Sequence, residues 1–419
     1  MKGNSMNKYF KYLSGIVLLF CSIGYAQDST KIEQLEKRIQ LLESKIEQSE
    51  LEKIINEAES VSKEKKEKTE TKIFKGGQRS LQALNPEISF ASDAFGQYIA
   101  NKNGFNDELR SGAHFRVAEM QVQSNLDPFS FTKIIIEFKP DEVEFAEAYL
   151  TWNQIFPNVS LTAGKFRQQF GVVNRWHAHA LDQFEFPLAL TTILGGEGLN
   201  QMGLSFDWLM PSFIADANEL TLQITNGQND HLFAGEVFSF PVVLGHFKNY
   251  FDLSENTYFE FGLTGMIGKN NIRGFMEDSL VLESSRLTTL AGADLTILWE
   301  PVNRAKYYSF LWRSEIYYAD KEMPAGQNIT ALGGYSYTEY KFHRQWQFGV
   351  RFDYTQPFMQ NNSDLYLYQV VPYITWWQSP WVRMRLQFNH LNGKELADAD
   401  NIMRLQVTWA IGPHKHDRY

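Results

Sequence analysis

A transmembrane antiparallel β-barrel of about 16 strands, preceded by a short α-helical coiled coil, is the fold class that this 419-residue sequence predicts. Three observations carry it. The chain opens with an export leader. Its long C-terminal part alternates large apolar with polar or charged residues at period two. That part also has the length that tilted strands and their connections need.

Residues 1–26 read as a secretory signal peptide. Lys8 and Lys11 precede an apolar stretch, Tyr12 to Ile23, and the small-residue site Gly24-Tyr25-Ala26-Gln27 follows. Cleavage after Ala26 leaves Gln27 first. Cys21 is the only cysteine, and Phe20 before it argues against a lipoprotein signal, which carries a small residue there. The mature chain is therefore exported without any disulfide, and its stability must come from backbone pairing and size. The formal charge of −9 becomes more negative once Lys2, Lys8 and Lys11 leave with the leader. Such a balance excludes a nucleic-acid partner, because phosphates need a basic face.

Residues 27–59 predict a coiled-coil helix. Ile32, Leu35, Ile39, Leu42 and Ile46 are spaced 3, 4, 3, 4, the a/d seam of a heptad. Glu33 and Lys37 form a favourable i, i+4 pair on the outer face. So narrow a stripe on so short a helix points to self-association rather than a lone helix. Ile at a with Leu at d nominally favours dimers. Residues 60–85 are mostly Lys, Glu, Ser and Thr near their start and read as a solvated linker.

From Pro86 to Tyr419 the texture is that of a barrel wall. Leu405, Val407, Trp409 and Ile411 oppose Arg404, Gln406, Thr408 and Ala410. Met384, Leu386 and Phe388 oppose Arg383, Arg385 and Gln387, and Phe348, Val350 and Phe352 oppose Gln347, Arg351 and Asp353. A lipid-facing wall around a wet lumen requires this alternation. Strands are expected to begin near Glu87, Ala113, Phe131, Val143, Asn158, Gln201, Glu219 and Val242. The second half should begin near Thr257, Leu287, Tyr308, Ile329, Gln345, Leu367, Val382 and Asn401. An even count places the short turns Leu126–Ser130, Gln154–Pro157 and His343–Arg344 on the periplasmic side. Asn226–Phe240 and the long connection Gly171–Asn200 then fall outside, the latter as the third outer loop.

That loop and its flanks carry a resemblance. Gly164-Lys165-Phe166-Arg167, Phe170-Gly171 and Asn174-Arg175-Trp176-His177-Ala178-His179 come first. Phe186-Pro187-Leu188-Ala189-Leu190, Gly195-Gly196-Glu197-Gly198-Leu199 and Trp208-Leu209-Met210-Pro211 follow, with Ile411-Gly412-Pro413-His414 at the end. This run resembles bacterial outer-membrane porins related to the phosphate-selective porin family. The resemblance implies a third loop, residues 171–200, that folds inward and narrows the lumen. It also implies a passive outer-membrane channel for small hydrophilic solutes, with anions preferred where Arg and Lys line the pore. A homotrimer set in outer-membrane lipid, with its coil in the periplasm, belongs to the same expectation.

Pore-lining and constriction residues are expected among Lys165, Arg167, Arg175, His177, His179, Arg313, Arg351, Arg383 and Arg385. Lys133 and Arg404 join them on the lumen face, opposed by Glu137, Glu147, Glu260, Glu315 and Asp353, so bases are in excess. Trp176, Phe184, Phe186, Leu188 and Leu190 are the apolar anchors that would pack the loop against the wall. His177 with His179, and His414 with His416, have a spacing that can hold a metal, but no Cys or third ligand accompanies them in sequence. Hydrogen bonding is the simpler role, and no metal or cofactor is expected. Gly195-Gly196-Glu197-Gly198 lacks the Lys and Ser/Thr of a phosphate loop and reads as a bend. No nucleophile elbow or metalloprotease motif is present, so an enzyme is not expected. The competing account is structural, a coil that tethers the membrane through cell-wall contact.

Overall fold

The structure is a computed structural model that describes residues 86–101, 109–229, 231–233, 241–270, 273–276, 279–282, 286–323, 328–394 and 396–412. The leader, the coil seam, the linker, His414 and His416 lie outside the described residues.

The first strands are β1 (Glu87–Asn101), β2 (Gly112–Asn125), β3 (Ser130–Phe138), β4 (Val143–Phe156) and β5 (Val159–Arg167). After the long connection come β6 (Asn200–Met210), β7 (Ala217–Thr225), β8 (Val242–Ser254) and β9 (Thr257–Asn270). A short separate hairpin, β10 (Arg273–Met276) and β11 (Ser279–Leu282), sits in the next outer connection and was not anticipated from the sequence. The wall resumes with β12 (Arg286–Trp299), β13 (Ser309–Lys321), β14 (Ile329–His343) and β15 (Trp346–Thr355). It ends with β16 (Leu367–Ser379), β17 (Val382–Gly393) and β18 (Asp400–Ile411).

Every wall strand pairs antiparallel with its neighbours, and β1 closes on β18, from Phe90 opposite Ile411 to Asn101 opposite Asn401. The result is a closed barrel of sixteen strands, with the hairpin β10–β11 outside it. Closure leaves no unpaired edge, which is the condition for a sheet surrounded by hydrocarbon. The sixteen wall strands begin within two residues of the positions read from the alternation. Among the described residues no helix is long and apolar enough to cross a membrane.

Side-chain direction follows the period-two pattern. Phe348 and Phe352 on β15 are each 49% exposed on the outer face, while Arg351 and Asp353, on either side of Phe352, have no exposed surface. Leu405 and Ile411 on β18 likewise face outward, opposite the buried Arg404, Gln406 and Thr408. The expectation of a wholly wet lumen needs correction. Apolar side chains on the inner faces of β8, β9 and β12–β14, including Leu244, Met266, Leu290 and Tyr317, form a core with Phe170, Val172, Leu190, Ile193 and Leu194. The main hydrophobic core of this barrel therefore lies inside it, between wall and loop. Alternation misses this because an inward apolar residue only lengthens an apolar run without breaking the strand.

Candidate functional site

The connection from β5 to β6 enters the lumen and is held there at many points. Phe170, Trp176, Leu188 and Leu190 are buried, and Phe186 packs on the same core. The helix α1 (Leu188–Leu194) starts after Pro187, whose fixed φ suits a helix entry, and stops at Gly195 with φ +98°. Burying its Leu188, Leu190, Ile193 and Leu194 contributes about 1.5–3 kcal/mol each, which compensates for a helix too short to stand alone.

Polar anchors fix the register of the loop against the wall. Gly171 adopts φ +65°, and a Cβ there would stand 1.9 Å from the Glu315 carboxylate. That close approach lets Glu315 Oε1 accept from the backbone N–H of Val172 at 3.1 Å and of Val173 at 3.0 Å. The same carboxylate accepts from the hydroxyls of Tyr317 and Tyr335, at 2.6 and 2.5 Å. At the two ends of the loop, Asn174 Nδ2 donates to the carbonyls of Gln168 and Leu199, and its Oδ1 accepts from the Leu199 N–H. Further along, Arg383 donates to the His179 carbonyl, Arg385 to that of Leu181 and Arg351 to that of Glu185. Asp353, itself bound by Arg351 at 2.8 Å, accepts the Leu188 N–H at 3.0 Å.

A second group of anchors is acidic. Glu119 on β2 lies directly opposite Glu137 on β3. A bulge between Ile135 and Ile136 shifts β4 so that Glu144 and Glu147 both face inward. Into these carboxylates the loop inserts His177, with Nδ1 3.0 Å from Glu119 and 3.2 Å from Glu137, and Nε2 3.2 Å from Glu147. His179 Nδ1 is 3.3 Å from the same Glu119 oxygen. Burial works against charge on the His177 ring, but the three carboxylates outweigh it and hold its pKa well above the usual histidine value.

The loop packs on β8, β9 and β12–β18 and reaches β2–β4 through its histidines, and the space beside it is lined by β3–β7. A cavity of about 740 Å³ there is lined by Lys133, Glu147, Thr162, Arg167, Gln169, Arg175, Asp207 and Glu219. A wider one, shared at Asp207 and Glu219, opens toward the turns at Pro128–Phe129 and Gln154–Asn158. A third lies on the opposite, outer side, bounded by Glu144, Lys165, Gly195–Gly198 and His231. Arg167, which lines the first, donates from Nη1 to the carbonyl of Glu197, which lines the third, at 3.0 Å. Lys139 bridges Glu142, Glu144 and Glu197 at the rim, at 3.0, 3.1 and 2.9 Å.

The residues named from sequence thus divide into two sets. Lys165, Arg167 and Arg175 border open space, and Lys133 touches the middle cavity while itself buried. Arg313, Arg351, Arg383 and Arg385 do point inward, but they are buried under the loop, and Arg313 stacks over Trp176 at 4.7 Å. His177 and His179, expected to face solute, are turned into the wall instead, because the carboxylates of β2–β4 are the stronger partners for imidazole. The excess of bases narrows, since Asp93, Glu119, Asp294, Glu339 and Asp400 are also buried on the inner face, joined by Lys248 and Lys321. Glu119 and Glu185 were missed altogether. Glu185 accepts from Arg404 at 2.9 Å and also binds Gln369, Gln387 and Asn389. Glu119 was findable, because the turn after Asn125 fixes the hairpin register that sets it against Glu137. Nothing in the local sequence marks Glu185, whose partners come from β16, β17 and β18.

No family model matches the chain. A curated but uncharacterised protein of Aquifex aeolicus is 25% identical over 272 residues, which cover 60% of this chain and 56% of that protein. The chain therefore spans little more than half the length of this relative. Among solved structures, the outer-membrane channel DcaP of Acinetobacter baumannii is similar, with a TM-score of 0.55, 10% identity, and coverage of 80% of this chain and 100% of that one. The anion-selective porin of Comamonas acidovorans gives a TM-score of 0.54 at 8% identity, covering 78% of this chain and all of the porin. OmpT, an outer-membrane protein of Vibrio cholerae solved in a trimer form, gives 0.54 at 9% identity, covering 78% and 99%. At such identities the likeness is one of fold, a sixteen-stranded barrel of porin type.

Proposed function

We propose that the chain is an outer-membrane porin, passing small hydrophilic solutes through the space between the inward loop and the β3–β7 wall. The observation that carries this reading is the set of polar cavities beside the loop, two of which meet at Asp207 and Glu219, with Arg167 of the middle one bonded to Glu197 of the outer one. A closed barrel with a band of exposed Phe, Leu, Ile and Val on its outside suits lipid, and a loop packed to one side of the lumen leaves a restricted path on the other. DcaP is described as an outer-membrane channel and the Comamonas protein as an anion-selective porin, which supports the same reading for this chain.

The path carries both signs. Arg167, Arg175 and Lys165 stand toward the outer side, and Asp207 and Glu219 toward the periplasmic side. We read this as a weak anion preference set where the loop narrows the path, without the closely spaced lysines a dedicated phosphate channel would show. The cavity walls have low dielectric, so Arg167 and Arg175 act on passing ions with little screening. Cleavage after Ala26, a periplasmic coil over 27–59 and a homotrimer complete the proposal, the last supported by the trimer form of OmpT. The structural alternative, a coil that tethers membrane to cell wall, gains no support from a lumen with this much polar space. Reconstitution of the purified protein into planar bilayers tests the reading. Discrete conductance steps are the expected result, and a barrel that inserts without any current overturns it.

A further inference from the structure

We propose that the inward loop is clamped to the wall by a divalent transition-metal ion bound by Glu119, Glu137 and His177. The inference rests on the loop lying in the lumen, and it is independent of whether the lumen conducts.

The argument starts from the pairing. Register places Glu119 directly opposite Glu137, a like-charged cross-strand pair that destabilises a sheet unless a cation sits between. Glu147 adds a third buried carboxylate beside them. Donor atoms of Glu119, Glu137 and His177 all lie within 4.8 Å of one another, and all three residues are buried. His177 Nδ1 is 3.0 Å from Glu119 Oε2 and 3.2 Å from Glu137 Oε1. Bonds of about 2.0–2.1 Å in a tetrahedral site imply ligand–ligand edges of roughly 3.3 Å, so the two His177–carboxylate edges stand near the separation that a bound ion needs, with the Glu119–Glu137 edge inside 4.8 Å. Behind the ring, His177 Nε2 faces Glu147 at 3.2 Å, and Glu147 is 3.8 Å from the Lys133 ammonium. A ligating histidine usually donates its second N–H to a carboxylate, which fixes tautomer and orientation. His179 Nδ1, 3.3 Å from Glu119 Oε2, is the nearest candidate for a fourth position. One or two imidazoles with two carboxylates, shut away from water, suit Zn²⁺, Mn²⁺ or Fe²⁺ rather than Ca²⁺, which wants six or more oxygens. Two carboxylates and a divalent ion leave the buried site neutral. The pairing then ties β2 and β3 to the loop across 40 residues of chain between Glu137 and His177.

The full-length protein in detergent, stripped with chelator and dialysed, is titrated with Zn²⁺ and separately with Co²⁺. A background carrying His414→Ala and His416→Ala removes the other histidine pair. One ion per chain is expected, and Co²⁺ should show the intense visible bands of a four-coordinate nitrogen–oxygen site. His177→Gln and Glu137→Gln should abolish stoichiometric binding, and Glu147→Gln should weaken it by about 10–100-fold. Heat-modifiable migration on gels confirms that each variant remains a folded barrel. Should a variant fail to fold, the wild-type Co²⁺ spectrum decides by itself. No stoichiometric binding by the stripped wild type, or a Co²⁺ spectrum of six water-like ligands, overturns the proposal and leaves a protonated His177 as the only bridge. Binding that survives His177→Gln overturns it as well. Absence of channel current with metal still bound would count against the porin reading alone.

Discussion

Replacing Glu315 by Ala should release the entry of the inward loop. In the native arrangement its carboxylate satisfies two loop N–H groups, Val172 at 3.1 Å and Val173 at 3.0 Å, and the hydroxyls of Tyr317 and Tyr335. All of these groups are buried. A buried donor left without a partner costs about 1–3 kcal/mol. Tyr317 and Tyr335 still bond each other, so three donors are stranded, and even the lower end comes to about 3 kcal/mol, roughly a hundredfold shift in the equilibrium between docked and undocked loop. The barrel itself should persist, because its backbone ladder does not pass through this side chain. Two assays read the effect together. Single-channel recordings should show a larger and noisier conductance, and limited proteolysis should cut within 171–200, where the wild type resists. Glu315→Gln keeps one acceptor oxygen in place and should change both less. A folded Glu315→Ala barrel with wild-type conductance and wild-type protease resistance would refute the reasoning, since the loop entry would then be held by something other than this carboxylate.

Arg167→Ala should widen the neck between the middle and outer cavities, because it removes the bond to the Glu197 carbonyl, and single-channel conductance should rise. Arg175→Glu should move the reversal potential under a salt gradient toward cations, as it reverses a charge bordering the middle cavity. Deleting Ala178 to Leu190 should raise conductance severalfold and shift preference toward anions, since it uncovers Arg351, Arg383 and Arg385, whose loop carbonyl partners lie in or beside that segment. N-terminal sequencing of the protein recovered from outer membranes should begin at Gln27; recovery in the soluble periplasm would contradict the location proposed.

The wall was legible in the sequence because lipid and lumen impose opposite demands on alternate residues. Arg383, Arg385 and Gln387 could only point inward once Met384, Leu386 and Phe388 pointed out, and the exposures agree. Loop length and its apolar residues likewise drew attention to 171–200. What the sequence could not supply was which inward groups meet which parts of the loop. Arg351, Arg383 and Arg385 read as free lumen charges, yet each donates to a carbonyl of the loop, more than 160 positions away in sequence. His177 and His179 read as solute-facing for the same reason. Their carboxylate partners come from β2, β3 and β4, and only closure of the barrel brings those strands under the loop. The bulge in β4 is a further case, as it sets Glu144 and Glu147 on one face at a spacing that strict alternation forbids.

The central claim is that solute moves between the loop and the β3–β7 wall, and cysteine accessibility tests it most directly. Cys21 is the chain's single cysteine and lies in the leader proposed to be cleaved after Ala26, so the mature protein provides a clean background. Thr162→Cys places a thiol on β5 in the wall of the middle cavity, and Thr408→Cys places one on β18, beneath the loop with no exposed surface. During bilayer recording, a charged methanethiosulfonate reagent should cut the current through Thr162→Cys channels and leave Thr408→Cys channels unchanged. Block at Thr408→Cys with none at Thr162→Cys would place the path on the other side of the loop and contradict the account.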